Sequence, residues 1–148
     1  MMNTQPYFDM WKMGRTRLTN QLDSINKKDL LKRVHSNSNS VGWLMRHIAE
    51  VELLFAKNVF DRDLGVKAQT IGSIAKDHGQ FNELEPLVNL IEKAEHELGA
   101  AIKEIEDWQG DVTTVEFGTV TRAEALGRIM THTAYHAGQV SLIMKYGE

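Results

Sequence analysis

The feature that most constrains this chain is a helical spacing of apolar residues that returns in four long segments. In each segment, large apolar side chains recur every three or four positions, which places them along one face of an α-helix. The segments cover residues 4–22, 41–60, 83–107 and 121–145. Because each helix alone would expose its apolar face to water, the four faces are expected to pack together in one core. The sequence therefore predicts an all-α fold, a four-helix bundle.

Residues that favour helix starts stand at three of the predicted boundaries. The stretch HSNSNS, residues 35–40, breaks the helical pattern and ends in Ser40, a suitable N-cap for the second helix. Thr4 is the expected N-cap of the first helix. Thr121-x-x-Glu124 matches a capping box at the start of the fourth helix, in which two side chains satisfy free backbone N–H groups.

The connections between the predicted helices indicate the order of the bundle. Residues 61–82 are punctuated by glycine, and a connection of this length can cross the whole bundle, so helices two and three are expected to run parallel. The stretch WQGDVTTVEFGTV, residues 108–120, shows strand-like alternation and predicts a loop with a small hairpin. At 148 residues the chain fits a single domain, residues 1–148.

Composition excludes several classes of function. The chain has no cysteine, which rules out disulfides, a cysteine nucleophile and thiolate metal sites. The net charge of −3 and the absence of a basic run argue against nucleic acid as a partner. The N-terminus lacks the apolar core of a signal peptide, and no apolar run approaches the roughly 20 residues of a membrane span. We therefore expect a cytoplasmic protein that binds neither nucleic acid nor membrane.

Three histidines fall on the inner faces of two predicted helices. His132 and His136 are four residues apart on the fourth helix, so their side-chain roots should lie about 5–6 Å apart on one face. His47 lies in the inner stripe of the second helix. If these two helices are antiparallel, all three rings reach a similar level of the bundle. Three neutral imidazoles suit zinc, nickel, copper or iron, and three protein ligands leave a coordination position open.

A metal-free interpretation stands beside this one, because a histidine on a helix is often an ordinary polar residue of the core or surface. His35 and His78 lie in predicted loops, and His96 lies among glutamates on a solvated face. Three familiar metal schemes are disfavoured. Thr133 replaces the glutamate of an HExxH zinc protease, no Glu-x-x-His occurs for a di-iron site, and no cysteine exists for a zinc deaminase site.

Several neighbours of the histidines have expected roles of their own. Glu50 and Glu124 could assist a metal site, but helix-surface charges are the simpler interpretation of both. Tyr135 should point to the side of the histidine face, where it would serve packing or a dimer contact. Gly138 costs about 1 kcal/mol relative to alanine inside a helix, and close helix packing is the expected compensation. Trp43 is expected in the core.

The stretches SVGWLMRHIAEVE at 40–52 and TRAEALGRIMTHTAYHAGQV at 121–140 resemble the DinB/YfiT-like superfamily of metalloenzymes. The family pattern has a tryptophan one turn before the first histidine, and a late helix with His-x3-His followed closely by Gly-Gln. The chain matches this pattern at Trp43, His47, His132, His136, Gly138 and Gln139. Ala137 departs from it, because many members have arginine there.

The resemblance implies a bundle in up-down-down-up order, often a homodimer, with a divalent metal on His47, His132 and His136. Characterised relatives include thiol-dependent S-transferases and a mycothiol-dependent isomerase. Zinc or nickel is the expected metal, with manganese or iron as alternatives, and a low-molecular-weight thiol is the expected cosubstrate.

We therefore rank three hypotheses for the function of the chain. The first is a metal-dependent S-transferase that activates a low-molecular-weight thiol and passes it to a small-molecule substrate. The second is metal-assisted hydrolysis. The third is a protein without catalysis, either a dimeric bundle whose histidines are structural or a small-molecule sensor.

Overall fold

The computed structural model of the chain describes residues 3–73 and 75–148. Its helices lie close to the predicted segments: α1 (Gln5–Leu22), α2 (Val41–Asn58), α3 (Leu84–Glu104) and α4 (Arg122–Tyr146). A short 3-10 turn (Lys27–Asp29) follows α1, and the predicted hairpin is present as β1 (Asp111–Thr114) and β2 (Gly118–Thr121). The four-helix prediction is confirmed.

Two of the expected N-caps are present at the helix starts. The Ser40 hydroxyl accepts a hydrogen bond from the backbone N–H of Trp43 at 3.3 Å. The Thr121 hydroxyl accepts from the backbone N–H of Glu124 at 3.1 Å. The reciprocal half of the predicted capping box is replaced by an ion pair, because the Glu124 carboxylate binds Arg128 at 2.7 Å. Glu124 is exposed, as expected of a surface charge.

Thr4 occupies the N-cap position of α1, as expected, but its side chain does not make the capping hydrogen bond. Its hydroxyl donates to the backbone oxygen of Ile105 at 2.6 Å and accepts from Trp108 Nε1 at 3.1 Å. These bonds tie the beginning of α1 to the end of α3. A long-range contact of this kind has no signal in a local sequence pattern.

Contacts between helix ends establish the up-down-down-up order. Helix α1 runs antiparallel to α3, because Thr4 meets Ile105 and Arg15 meets Ile91 further along. Helices α2 and α3 run parallel, because Gly42 packs against the backbone just before α3 and Arg62 binds Glu104 near its end. The connection from residue 59 to residue 83 therefore crosses the length of the bundle, as predicted.

Helices α2 and α4 run antiparallel, which decides the position of the histidines. Leu44 near the start of α2 lines the same cavity as Ile143 near the end of α4. Phe55 near the end of α2 lies against Phe117, just before α4, with ring centroids 6.0 Å apart. The hairpin holds Phe117 there, since Val112 pairs with Val120 in its ladder.

The core contains a buried ion pair that was not among the predictions from the sequence. Arg15 Nη2 lies 2.9 Å from Glu52 Oε2, and both side chains are at most 2% exposed. Thr133 donates to the same carboxylate at 3.0 Å, and Ile91 contributes a backbone oxygen to the guanidinium at 2.9 Å. Each buried charge is therefore met by several partners, as burial requires. None of the described helices is both long and apolar enough to cross a membrane.

Candidate metal centre

The structure brings the three predicted histidines together between α2 and α4. The ring centroids of His132 and His136 are 4.5 Å apart, because the residues lie one turn apart on α4. The ring of His47 lies 5.0 Å from that of His132 and 4.9 Å from that of His136. One nitrogen from each ring lies within 4.8 Å of the other two. All three side chains are partly buried.

His47 is oriented by a hydrogen-bonded chain that the sequence reasoning missed. Its Nδ1 lies 3.2 Å from Thr70 Oγ1, and Thr70 Oγ1 is bonded in turn to Glu50 Oε2. A carboxylate only accepts, so the Thr70 hydroxyl donates to Glu50 and accepts from His47 Nδ1–H. His47 therefore carries its proton on Nδ1 and presents the lone pair of Nε2 to the other histidines.

Glu50 is not a surface charge, and that expectation was wrong. Its side chain is 1% exposed and receives the backbone N–H groups of Gln69 and Thr70, both at 2.9 Å. Arg46 Nε also donates a hydrogen bond to the Glu50 carboxylate, at 2.5 Å. The buried carboxylate thus fixes the connection between α2 and α3 against the histidine site.

His136 has an orienting partner on its own helix. Its Nδ1 lies 2.6 Å from Gln139 Oε1, and an amide oxygen accepts only, so His136 donates from Nδ1 and presents Nε2. Gly138 next to it does not serve close helix packing, contrary to expectation. It is exposed, and a Cβ built there meets no atom within 4 Å in the described chain.

His132 is the most perturbed group of the site. Its Nε2 lies 3.2 Å from Nε2 of His47. Burial first, and then the positive charges that His136 and His47 would carry, lower the pKa of His132 to about 3. Burial and His136 also lower the pKa of His47 below the ordinary histidine value. Both rings are therefore neutral at physiological pH, the form that binds metals.

The spacing of His47 and His132 fits a divalent cation. Two nitrogens bound to one tetrahedral zinc at about 2.0–2.1 Å would lie about 3.3 Å apart, close to the observed spacing of the His47 and His132 Nε2 atoms. No carboxylate of residues 3–73 or 75–148 joins the three-histidine group. Buried Nδ1 of His132 also has no hydrogen-bond partner among the described residues. The role of the three residues as metal ligands remains a prediction.

Aromatic side chains border the histidines. The buried indole of Trp43 stacks on His47, with ring centroids 4.9 Å apart and an interplanar angle of 18°. Tyr135 is 65% exposed and lies beside His136 at a centroid distance of 5.1 Å, to the side of the site as expected. The exposed histidines stand outside the cluster: His35, His78 and His96.

Solved structures with the same fold support this architecture. A mycothiol-dependent maleylpyruvate isomerase aligns with a TM-score of 0.71 at 18% identity, over 98% of this chain and 68% of its own. A histidine-to-alanine form of that isomerase gives 0.71 at 17% identity, with the same coverage. A conserved protein from Enterococcus faecalis gives 0.67 at 18% identity, over 99% of this chain and 97% of its own. At these identities the likeness shows the fold.

Sequence comparison gives the family. No curated protein matches the chain. The sequence model of the DinB superfamily matches residues 10–140, a stretch that contains all three histidines, Trp43 and Gln139. With that match and the shared fold, the chain belongs to the DinB superfamily.

Proposed function

We propose that this chain is a divalent-metal-dependent enzyme that transfers a low-molecular-weight thiol to an electrophilic small molecule. The observation that carries the proposal is the convergence of His47, His132 and His136 from two antiparallel helices. These residues would hold the metal through ring nitrogens. Zinc or nickel suits three imidazoles best, and manganese or iron is the alternative.

The chain prepares the histidines for this role before any ligand binds. Thr70 and Gln139 hold the Nδ1–H groups of His47 and His136, so the Nε2 lone pairs face the site. The lowered pKa values of His47 and His132 keep protons from competing for those nitrogens near neutral pH. Trp43 covers one face of His47 and keeps water from it. Such orienting contacts typically raise the affinity of a site for its metal.

A thiol cosubstrate supplies the nucleophile that the chain lacks, since the sequence has no cysteine. A divalent cation held by His47, His132 and His136 would leave a coordination position for a thiol and would lower the pKa of that thiol. The mycothiol-dependent isomerase with the same fold, whose name records the use of a thiol, supports this choice of reaction class. A homodimer remains a prediction of the resemblance, and a cytoplasmic location remains a prediction from the composition.

Metal-assisted hydrolysis is the weaker candidate because it needs a base near the attacking water. Glu50, the nearest carboxylate along the sequence, already accepts four hydrogen bonds from Arg46, Gln69 and Thr70. It is 1% exposed and stands behind His47 rather than in the site.

The test is metal-dependent conjugation of a thiol. The purified protein, loaded with zinc or nickel, is mixed with monochlorobimane and, in turn, glutathione, mycothiol and bacillithiol. We expect one of these thiols to be conjugated well above the uncatalysed rate, and the activity to disappear with a chelator or in His47→Ala. His96→Ala is the matched control, because His96 is exposed and outside the cluster.

Conjugation that is indifferent to metal, or equal in His47→Ala and wild type, would contradict the proposal. So would ester hydrolysis without added thiol, which would favour the hydrolase. Loss of stability in His47→Ala with no response to metal or chelator would favour structural histidines.

A further inference from the structure

A second feature of the molecule lies one turn from the histidines along α2. A cavity of about 170 Å³ opens between α2, the hairpin loop and the connection after α2. Val51 lines it and follows His47 by four residues, so the two side chains are neighbours on the helix. Ile71 also lines it and follows Thr70, which is bonded to His47. Two separate chain segments thus link the lining of the cavity to His47.

The walls of this cavity are mostly carbon. Leu54 and Phe55 of α2 line it together with Ile71 and Phe117. The Phe55 and Phe117 rings are nearly parallel, with an interplanar angle of 27°, so they offer a flat apolar wall. The guanidinium of Arg128 covers Phe117 at 5.0 Å and helps to hold its ring in place.

The charge of the lining selects against anions. Glu116 is the one charged side chain among the lining residues that the structure describes. A carboxylate on a ligand would therefore meet a like charge, and its burial among apolar side chains would cost free energy as well. The volume suits a single aromatic ring, since an apolar cavity of about 150 Å³ is known to bind benzene.

We propose that this cavity binds the electrophilic substrate, and that the substrate is an uncharged aromatic compound of about one ring. The assignment rests on the proposed thiol transfer at the adjacent histidines. The thiolate sulfur attacks a benzylic carbon; the carbon–sulfur bond forms as the carbon–chlorine bond of a model substrate breaks. Chloride leaves with the bonding electron pair, and the thiol proton passes to solvent.

A second cavity, which adjoins the histidines through Gln139, provides the matched comparison. It has a volume of about 240 Å³ and is lined by Leu44, Leu142 and the polar Gln139. Leu142 is 57% exposed and Leu54 is partly exposed, so neither replacement by tryptophan falls in the buried core. Because Gln139 is bonded to His136, this cavity also adjoins the site.

Binding is measured first with an unreactive probe, 4-nitrobenzyl alcohol, followed by the backbone amide resonances of the protein. We expect shifts at Val51, Phe55 and Phe117. Leu54→Trp should weaken binding about tenfold or more by filling the cavity, while Leu142→Trp leaves it unchanged. The anion 4-nitrobenzoate should bind at least about tenfold more weakly than the alcohol. Glu116→Lys, an exposed substitution, should reduce that discrimination.

Measurements of turnover test the cavity assignment independently of the proposed thiol transfer. With 4-nitrobenzyl chloride and a competent thiol, Leu54→Trp should raise KM while Leu142→Trp should not. Probe binding in the cavity without any thiol transfer would support the binding site and defeat the proposed function. Thiol transfer that is unaffected by Leu54→Trp, or weakened by Leu142→Trp instead, would overturn the cavity assignment and leave the proposed function standing. Equal binding of 4-nitrobenzoate and the alcohol would also overturn it.

Discussion

Replacement of Thr70 by valine isolates the orientation of His47 from the rest of the site. Valine keeps nearly the same shape and removes only the hydroxyl, which accepts from His47 Nδ1–H and donates to Glu50. In the metal-free variant, His47 can adopt the tautomer with its proton on Nε2, so that Nδ1 carries no proton. When Nε2 holds a metal, the proton must stay on Nδ1 and face a methyl group. The cost therefore falls on the metal-bound state.

The size of the effect follows from the hydrogen bond that is lost. Leaving a partly buried N–H without a partner costs about 1–3 kcal/mol. Each 1.4 kcal/mol corresponds to about a factor of ten in an equilibrium constant. Removal of an outer partner of a metal-binding histidine typically costs about 10- to 100-fold in metal affinity. We expect Thr70→Val to weaken zinc binding in that range, and Thr70→Ser to restore it.

Zinc affinity is measured by competition with a chromophoric chelator, alongside thermal unfolding to report the fold. Thr133→Val is the matched control, because Thr133 is a buried threonine that also donates to a carboxylate, that of Glu52. It should lower the free energy of unfolding without changing zinc affinity. A Thr70→Val affinity within about twofold of wild type, or an equal loss in Thr133→Val, would refute the assigned role of Thr70.

Three further predictions concern stability. Arg15→Met should lower the free energy of unfolding by about 3–5 kcal/mol in chemical denaturation, because it leaves the buried charge of Glu52 without its ion-pair partner. Replacement of both residues by apolar ones should recover much of this loss. Burial opposes ionisation of Asp77, but hydrogen bonds from two backbone N–H groups and the charge of an arginine outweigh it and lower the pKa of Asp77. The ionised carboxylate therefore stabilises the fold above the unfolded-state pKa, and this stabilisation is lost as the pH falls through the folded-state pKa. Asp77→Asn should make the free energy of unfolding less dependent on pH at acidic pH, and an unchanged dependence would contradict this. Gly42→Ala should lower the free energy of unfolding by about 1–3 kcal/mol or more, since its Cβ would fall 2.0 Å from a backbone oxygen. The Cβ of Gly127→Ala would meet no described atom, so this variant should be neutral or stabilising by up to about 1 kcal/mol. The reverse order of the two variants in thermal unfolding would refute the packing argument.

The fold could be predicted from the sequence because its signals are local. Apolar residues at helical spacing, the Ser40 cap and the alternation before Thr121 each reflect contacts within one element or one turn. The position of the three histidines followed from the same periodicity. His47 and the pair on α4 came to one level because their helices are antiparallel.

The partners of those histidines could not be predicted, because they come from irregular chain or from charges that look solvated. Thr70 stands in a connection with no periodic pattern, yet it binds His47. No sequence pattern indicated that Glu50 would be buried and would accept hydrogen bonds from backbone N–H groups of that connection. Arg15 within an apolar stripe was the available signal for a buried ion pair, but its partner Glu52 required the packed structure.

The most direct test of the account is the metal content of the protein. Untagged protein, purified without metal-affinity resin, is analysed by elemental mass spectrometry beside His47→Ala and the double variant His132→Ala/His136→Ala. We predict about one equivalent of zinc or nickel per chain in wild type, lost in both variants while the helical fold persists. Absence of metal in wild type, even after incubation with zinc, nickel, manganese and iron(II), would contradict the three-histidine metal site.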